Sequence, residues 1–249
     1  MLNHALIIAR KEIRDHLRDT RSLVSSGFYA VMGPLVVGMV SLALKGAKSS
    51  AVILSMMSLF ALVASFSGGM NLAMDSIAGE RERRSLLPLL MNPLRLTDLI
   101  VGKWIAISVF AIAGIALTLA AFCLTLRLAP GLLIRAGIVL VPLVLFAAAV
   151  ELLISTWCRS TKEAHTYLSL AIFLPMGLGM FLIFFPHTES AWFWFPVAGQ
   201  QLLMNLLVKG SPVPLLSAGA IALISLVCAA GLLRAAARLL QQDEFVYGG

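Results

Sequence analysis

Six runs of roughly twenty or more apolar residues are spaced along this 249-residue chain, and they leave almost nothing with which to build a water-soluble core. A helix rises about 1.5 Å per residue, so about 20 apolar residues are needed to cross the hydrocarbon region of a bilayer. Backbone donors and acceptors find no water there, which restricts such runs to helices that satisfy their own hydrogen bonds. The runs lie at about 23–44, 52–74, 104–126, 133–157, 167–185 and 215–233. The expected fold is therefore all-α: a polytopic membrane protein of six spans, forming one transmembrane domain over residues 1–249. Charged residues make up 12% of the chain, roughly half the share in a soluble domain, in keeping with that class.

The formal net charge is +7, but the basic residues sit in short clusters between apolar runs rather than along one polar face. They are topology determinants, and no nucleic-acid partner is expected. With the N-terminus inside, fourteen of the nineteen Lys and Arg residues fall in cytoplasmic segments and five in outer loops, so both ends are expected in the cytoplasm. Residues 2–21 intersperse Leu2, Leu6, Ile13 and Leu17 with Arg10, Lys11, Glu12, Arg14 and Asp15. This pattern predicts an amphipathic helix, within 1–21, lying on the cytoplasmic surface of the cell membrane in contact with lipid. Its charges precede a hydrophobic run too long for a signal peptide, so the segment is expected to be retained.

Classical reactive constellations do not appear. Cys123, Cys158 and Cys228 lie far apart, and His4, His16, His165 and His187 show no metal-ligand spacing. No catalytic, cofactor-binding or metal-ligating residue is expected. The chain has no G-x-x-x-x-G-K-[ST] run with which to cradle a nucleotide phosphate, so ATP hydrolysis is not expected of it.

Three features invite a function. The connector 186–214 is too apolar for a solvated loop; it holds Trp192, Phe193, Trp194 and Phe195, then an amphipathic run with Gln200, Gln201 and Asn205. The aromatics suit a membrane interface, and the polar residues could line the outer mouth of a pathway. Glu151 is the one carboxylate well inside a run: either a pathway group, or a side chain that snorkels or hydrogen-bonds Ser155 or Thr156 near the inner end. The third feature is the cytoplasmic loop 75–103, where Gly79, Glu80, Arg81, Glu82, Arg83, Arg84, Ser85 and Leu86 precede Leu89, Leu90 and Pro93, with Gly102 and Lys103 after them. Its spacing predicts a short amphipathic helix with Glu80 and Arg84 paired across one turn and Ser85 capping the next. A charged turn that only obeys the positive-inside rule would have the same composition.

That loop resembles the one in ABC-type-2 transporter permeases, in particular the branch related to sodium-efflux permeases. Gly-Glu-Arg-Glu-Arg-x-Ser/Thr-Leu, then Leu-Leu-x-x-Pro, then Gly-Lys recur there. Residues 9–15, with Arg18, Asp19 and Arg21, are similar to the family's opening helix, and residues 160–164 to a weaker element of it. Leu87 stands where relatives often have an acid, and the first outer loop is only a few residues, where the sodium-efflux branch carries a large insertion. The resemblance implies a permease subunit of an exporter that works by alternating access. Glu80, Arg81, Glu82, Arg83, Arg84, Ser85 and Leu86 would couple it to a separate ATP-binding subunit, which binds the ATP. It also implies a second permease copy or paralogue, and short re-entrant helices between spans five and six. Two other classes stay open: an intramembrane enzyme, which would need more convergent polar groups than Glu151, and an ion-coupled carrier, which would show inverted repeats.

Overall fold

A computed structural model describes residues 2–43, 47–86, 88, 95–184 and 194–241. All regular structure among them is helical, in chain order α1 (Leu2–Arg18), α2 (Thr20–Ala43), α3 (Ala47–Ser67), α4 (Met70–Met74), a π-helical turn (Asp75–Gly79), α5 (Glu80–Glu82), α6 (Leu96–Leu126), α7 (Pro130–Trp157), α8 (Thr161–Phe184), α9 (Ala198–Val208) and α10 (Leu215–Leu239). Six stretches among the described residues are long and apolar enough to cross a membrane: Thr20–Ala43, Val52–Glu82, Leu96–Leu126, Pro130–Trp157, Thr161–Leu182 and Leu215–Leu239. Val24, Met39, Leu42, Leu124, Ile138, Phe173, Leu215 and Val227 point outward on these spans. So broad an apolar exterior suits lipid, not water.

Three of the spans begin with a recognisable local device. Asp19 opens α2 by accepting from the Arg21 amide at 3.2 Å and from the Ser22 hydroxyl, and that hydroxyl holds the Asp19 carboxyl below its ordinary range. Pro130 stands in the first turn of α7, where its missing N–H leaves no bond unmade. At the start of α8 the Ser160 hydroxyl accepts from the Glu163 amide at 3.2 Å, while the Glu163 carboxylate accepts from the Arg159 amide at 2.8 Å. Ser160 thus caps the first turn, and Glu163 reaches back past it to the amide before it.

The second span is not one straight helix. It breaks at Gly68 and Gly69, continues as α4, passes through the π-helical turn, and ends as α5 well beyond the Met74 boundary that hydropathy predicts. The break follows from a close approach to α6. A β-carbon at Gly68 would stand 3.0 Å from the Ala111 backbone, and one at Gly114 would stand 3.0 Å from the Gly68 backbone, so neither position has room for a side chain.

Two cores stack along the spans. One joins Ile77, Leu86, Ile100, Ile107, Leu152, Leu168, Ala236 and Leu240. The other joins Leu62, Phe66, Ile115, Leu140, Leu143, Val144, Val197 and Met204. α7 runs through both and packs on α10, α6 and α9; α1 lies along α6, with Ala5, Ala9 and His16 buried against it.

Candidate functional site

The third span begins earlier than expected, at Leu96 rather than near Trp104, and this carries Gly102 and Lys103 inside a helix. Gly102 is where α1 crosses. A β-carbon there would meet the Ala5 carbonyl oxygen at 2.7 Å and the Ile8 side chain at 2.8 Å, so only glycine lets the two helices touch. One residue on, Lys103 is fully buried, and its three donors meet three acceptors. Nζ stands 2.9 Å from Glu12 Oε1 on α1, 2.9 Å from Glu80 Oε1 on α5, and 2.9 Å from the Ser76 carbonyl oxygen in the π-helical turn. An unpaired ammonium in that position would be expelled or neutralised; two largely buried carboxylates hold it. One lysine thus fastens α1, the end of the second span and the start of the third.

The residues after Glu80 divide by direction. The Arg81 guanidinium donates to the Thr156 carbonyl at 3.0 Å and to the Cys158 carbonyl, covering the C-terminal end of α7. The Glu82 carboxylate accepts from the Thr161 amide at 2.8 Å and its hydroxyl at 2.6 Å, covering the N-terminal end of α8. Cation on C-terminus and anion on N-terminus are the senses that helix dipoles favour. Arg83 turns back to Asp75 at 3.3 Å, and Leu86 is buried in the core around Ile77 and Ile100. Arg83, Arg84 and Ser85 are exposed.

The expected Glu80–Arg84 pair is not formed, because the helix stops before Arg84 can complete the turn. The Ser85 amide donates to the Glu80 carbonyl at 2.8 Å and the Arg84 amide to the Arg81 carbonyl at 3.0 Å, a Schellman closure. Arg84 occupies its left-handed position, φ 56°, where glycine is the comfortable residue. The Ser85 hydroxyl donates to the Glu80 carbonyl at 3.1 Å, so it closes the helix it follows rather than capping a new one. Leu87, Leu89, Leu90 and Pro93 lie outside the described residues. Beside this stub, Asp75, Glu82, Arg83, Thr161, Lys162 and His165 line an open cleft of about 500 Å³.

On α1 the predicted set also splits. Glu12 turns inward to Lys103, while Arg10, Lys11, Arg14 and Asp15 face out and, with Ile7 and Arg18, bound a shallow depression. His16 packs edge-on against Phe110 with ring centroids 4.5 Å apart; burial lowers its pKa, outweighing the pull of Asp19, Asp75 and Glu12. At the joint after α7, burial pushes the Cys158 thiol up to about 11.

Deeper in the bundle, Glu151 is 2% exposed, and neither carboxylate oxygen has a hydrogen-bond partner among the described residues. The expected bonds to Ser155 and Thr156 are not made: Ser155 Oγ accepts from the Ala78 amide at 3.2 Å, and the Thr156 hydroxyl donates to the Leu152 carbonyl at 2.7 Å. Glu151 lies instead at the Gly68–Gly69 break, where a β-carbon on Gly69 would stand 2.8 Å from Oε2. On α9, Gln200 bonds Ser225 of α10 at 2.8 Å and the Val197 amide at 2.8 Å, and Asn205 accepts from Ser58 of α3 at 2.6 Å. Gln201 is fully buried with neither amide atom partnered among the described residues. The lead into α9 is strained: Val197 has φ 74°, ψ −63°, and the Ala198 amide bonds the Pro196 carbonyl at 2.9 Å, the tight γ-turn that β-branched residues avoid. Trp192, Phe193 and His187 lie outside the described residues.

Sequence reasoning missed Lys103, noting it only as part of a motif. The available signal was a lysine at the head of an apolar run, which demands an acidic partner at the same depth. It also missed Asn71, whose amide donates to Ser25 at 2.8 Å and Ser26 at 2.9 Å and ties α4 to α2.

The sequence of this chain is similar to those of known transporter proteins. The model of a family described as ABC-2 family transporter protein covers residues 6–244. The ABC transporter permease protein NatB of Bacillus subtilis (strain 168) is 32% identical over 197 residues, 71% of this chain and 51% of that protein. The chain thus spans about half the length of the curated relative it matches. With six span-length helices and a family match over nearly all its residues, this multi-pass membrane protein belongs to the ABC-2 family of transporter proteins.

Proposed function

We propose that the chain is the permease subunit of an ABC exporter, moving its substrate out of the cytoplasm by alternating access while a separate ATP-binding subunit binds and hydrolyses ATP. The similarity to an ABC transporter permease protein supports this role, and six spans suit half of a pore built with a second copy or paralogue. Both chain ends lie in the cytoplasm on this reading, α1 lies on the inner membrane surface, and α9 is a re-entrant helix on the outer side. The charge distribution and the exposed basic face of α1 support that placement.

The observation that carries the reading is the junction of Glu12, Glu80 and Lys103. A coupling element must deliver a push to the spans without slack, and here the exposed stub Arg83–Ser85 follows directly on a segment bonded to α6, α7 and α8 and, through Lys103, to α1. The stub and the adjoining cleft are what the ATP-binding subunit grips; Glu80, Arg81 and Glu82 pass the movement inward. Of the candidate pathway groups, Glu151 and Gln201 keep polar capacity free for a substrate, whereas Gln200 and Asn205 are engaged in holding α9.

Reconstitution with the ATP-binding subunit tests this. Arg83→Glu with Arg84→Glu is expected to leave the fold intact and to reduce co-purification and permease-dependent ATP hydrolysis about tenfold, the effect of losing two charge contacts. Unchanged hydrolysis with full co-purification of the two subunits would refute the docking role.

A further inference from the structure

A groove of about 430 Å³ runs between the first turns of α6 and the last turns of α10. Its polar rim is Arg234, Arg238 and Thr97, and its floor includes Ile100, Val101 and Leu233. Arg234 and Arg238 stand four apart on α10 and so share a face, and both are exposed. Among the described residues no carboxylate lies within ion-pair distance of either. Depth matters as much as charge. Leu215 and Leu216 begin α10 almost fully exposed, and Arg234 follows nineteen residues later, about 28 Å along the axis. That is about the thickness of the hydrocarbon layer, which sets the two guanidinium groups at headgroup level with the apolar floor just inside it.

We propose that this groove binds an anionic phospholipid, its phosphate gripped by Arg234 and Arg238 and an acyl chain laid over Ile100, Val101 and Leu233. A guanidinium pair matches a phosphate in charge and fork geometry, and the apolar floor gives a chain something to cover that a soluble anion would leave bare. Basic pockets between spans at the cytoplasmic interface are where such headgroups are held. The chemistry of the groove stands in either orientation of the protein; the cytoplasmic leaflet follows from the orientation proposed above. A bound lipid would tie the start of α6, one to two turns before Lys103, to α10.

The test uses the full chain in detergent and in nanodiscs of phosphatidylcholine with or without phosphatidylglycerol. Native mass spectrometry is expected to show retained phosphatidylglycerol, and adding that lipid is expected to raise the thermal midpoint. Arg234→Gln with Arg238→Gln should weaken retention about thirtyfold and abolish the shift, while Arg127→Gln with Arg135→Gln, which removes equal charge from exposed positions around the α6–α7 turn, should preserve both. Equal stabilisation by phosphatidylcholine, or equal loss in the Arg127 and Arg135 variant, would overturn the proposal. So would a shift reproduced by inorganic phosphate alone. Asp243→Asn with Glu244→Gln checks the chain's own acidic end: if it destabilises the protein in neutral lipid as much as the arginine double variant does, that end is the occupant and the lipid site is refuted.

Discussion

Nζ of Lys103 stands 2.9 Å from Oε1 of Glu80, so the third span supplies the counter-charge for a carboxylate at the end of the second. Removing the lysine would strand Glu80 and Glu12 together, both largely shielded from water. Breaking a buried pair from one side costs about 3–5 kcal/mol. Lys103→Met is therefore expected to lower the thermal midpoint in detergent sharply, and adding Glu12→Gln and Glu80→Gln should recover part of the loss. A single variant that melts like the native chain would remove Lys103 from the centre of this account.

Arg84 and Arg81 should behave oppositely. Arg84 sits in a left-handed backbone position that costs a side-chain-bearing residue about 1 kcal/mol, so Arg84→Gly is expected to stabilise slightly while weakening stimulation of the ATP-binding subunit. Arg81→Ala leaves two carbonyls at the end of α7 without their donor and is expected to destabilise by about 1.5–3 kcal/mol. Thermal melts and ATPase assays on both variants separate the roles. Equal loss of stability in the two would contradict the division of the stub into an exposed part and a fastening part.

Cys158 reports on the same joint. Its thiol is 1% exposed with a pKa raised to about 11, so almost none of it is thiolate near neutral pH. In a Cys123→Ser, Cys228→Ser background, maleimide labelling at pH 7.5 is expected to be slow, and at least tenfold faster once Arg81→Ala opens the joint. Rapid labelling in the intact protein would show that the Arg81–Cys158 contact is open in solution.

His16 gives a pH dependence of definite sign. Its folded pKa lies below the ordinary 6.5, so between those two values the unfolded chain binds more protons and stability rises with pH. The contribution is complete above about 6.5 and is lost as pH falls through the lowered folded value. His16→Phe, against Phe110, is expected to flatten the melting profile between pH 5 and 7. A variant with the native slope would assign that slope to another group.

The spans were legible because hydropathy over about twenty residues is a long, redundant signal. Their ends were less so. The third span was expected near Trp104 because Asp98 and Lys103 look like loop residues; Lys103 belongs to a helix only because Glu12 and Glu80, far away along the chain, neutralise it. The same limit explains Glu80, which local spacing paired with Arg84 four residues on. A nearest-neighbour rule on a helix cannot see a partner on another span, nor foresee that the helix stops at Arg83. Arg81 and Glu82 were singled out from their motif, but their bonds to Thr156, Cys158 and Thr161 span more than seventy residues of chain. The cap that Ser160 gives Glu163 could have been read locally, since a serine three residues before a glutamate is a helix-start signal.

The bend at Gly68 and Gly69 decides where such a molecule can flex. Below it, the π-helical turn and α5 are stitched to α6, α7 and α8 by ionic and hydrogen bonds, and through Lys103 to α1. Above it, α3 meets its neighbours, among the described residues, through apolar contacts and the Ser58–Asn205 bond. A tug applied at the wet end would swing the stitched block as one oar, with its fulcrum at two residues that have no side chains to jam it and the acid Glu151 riding at the pivot.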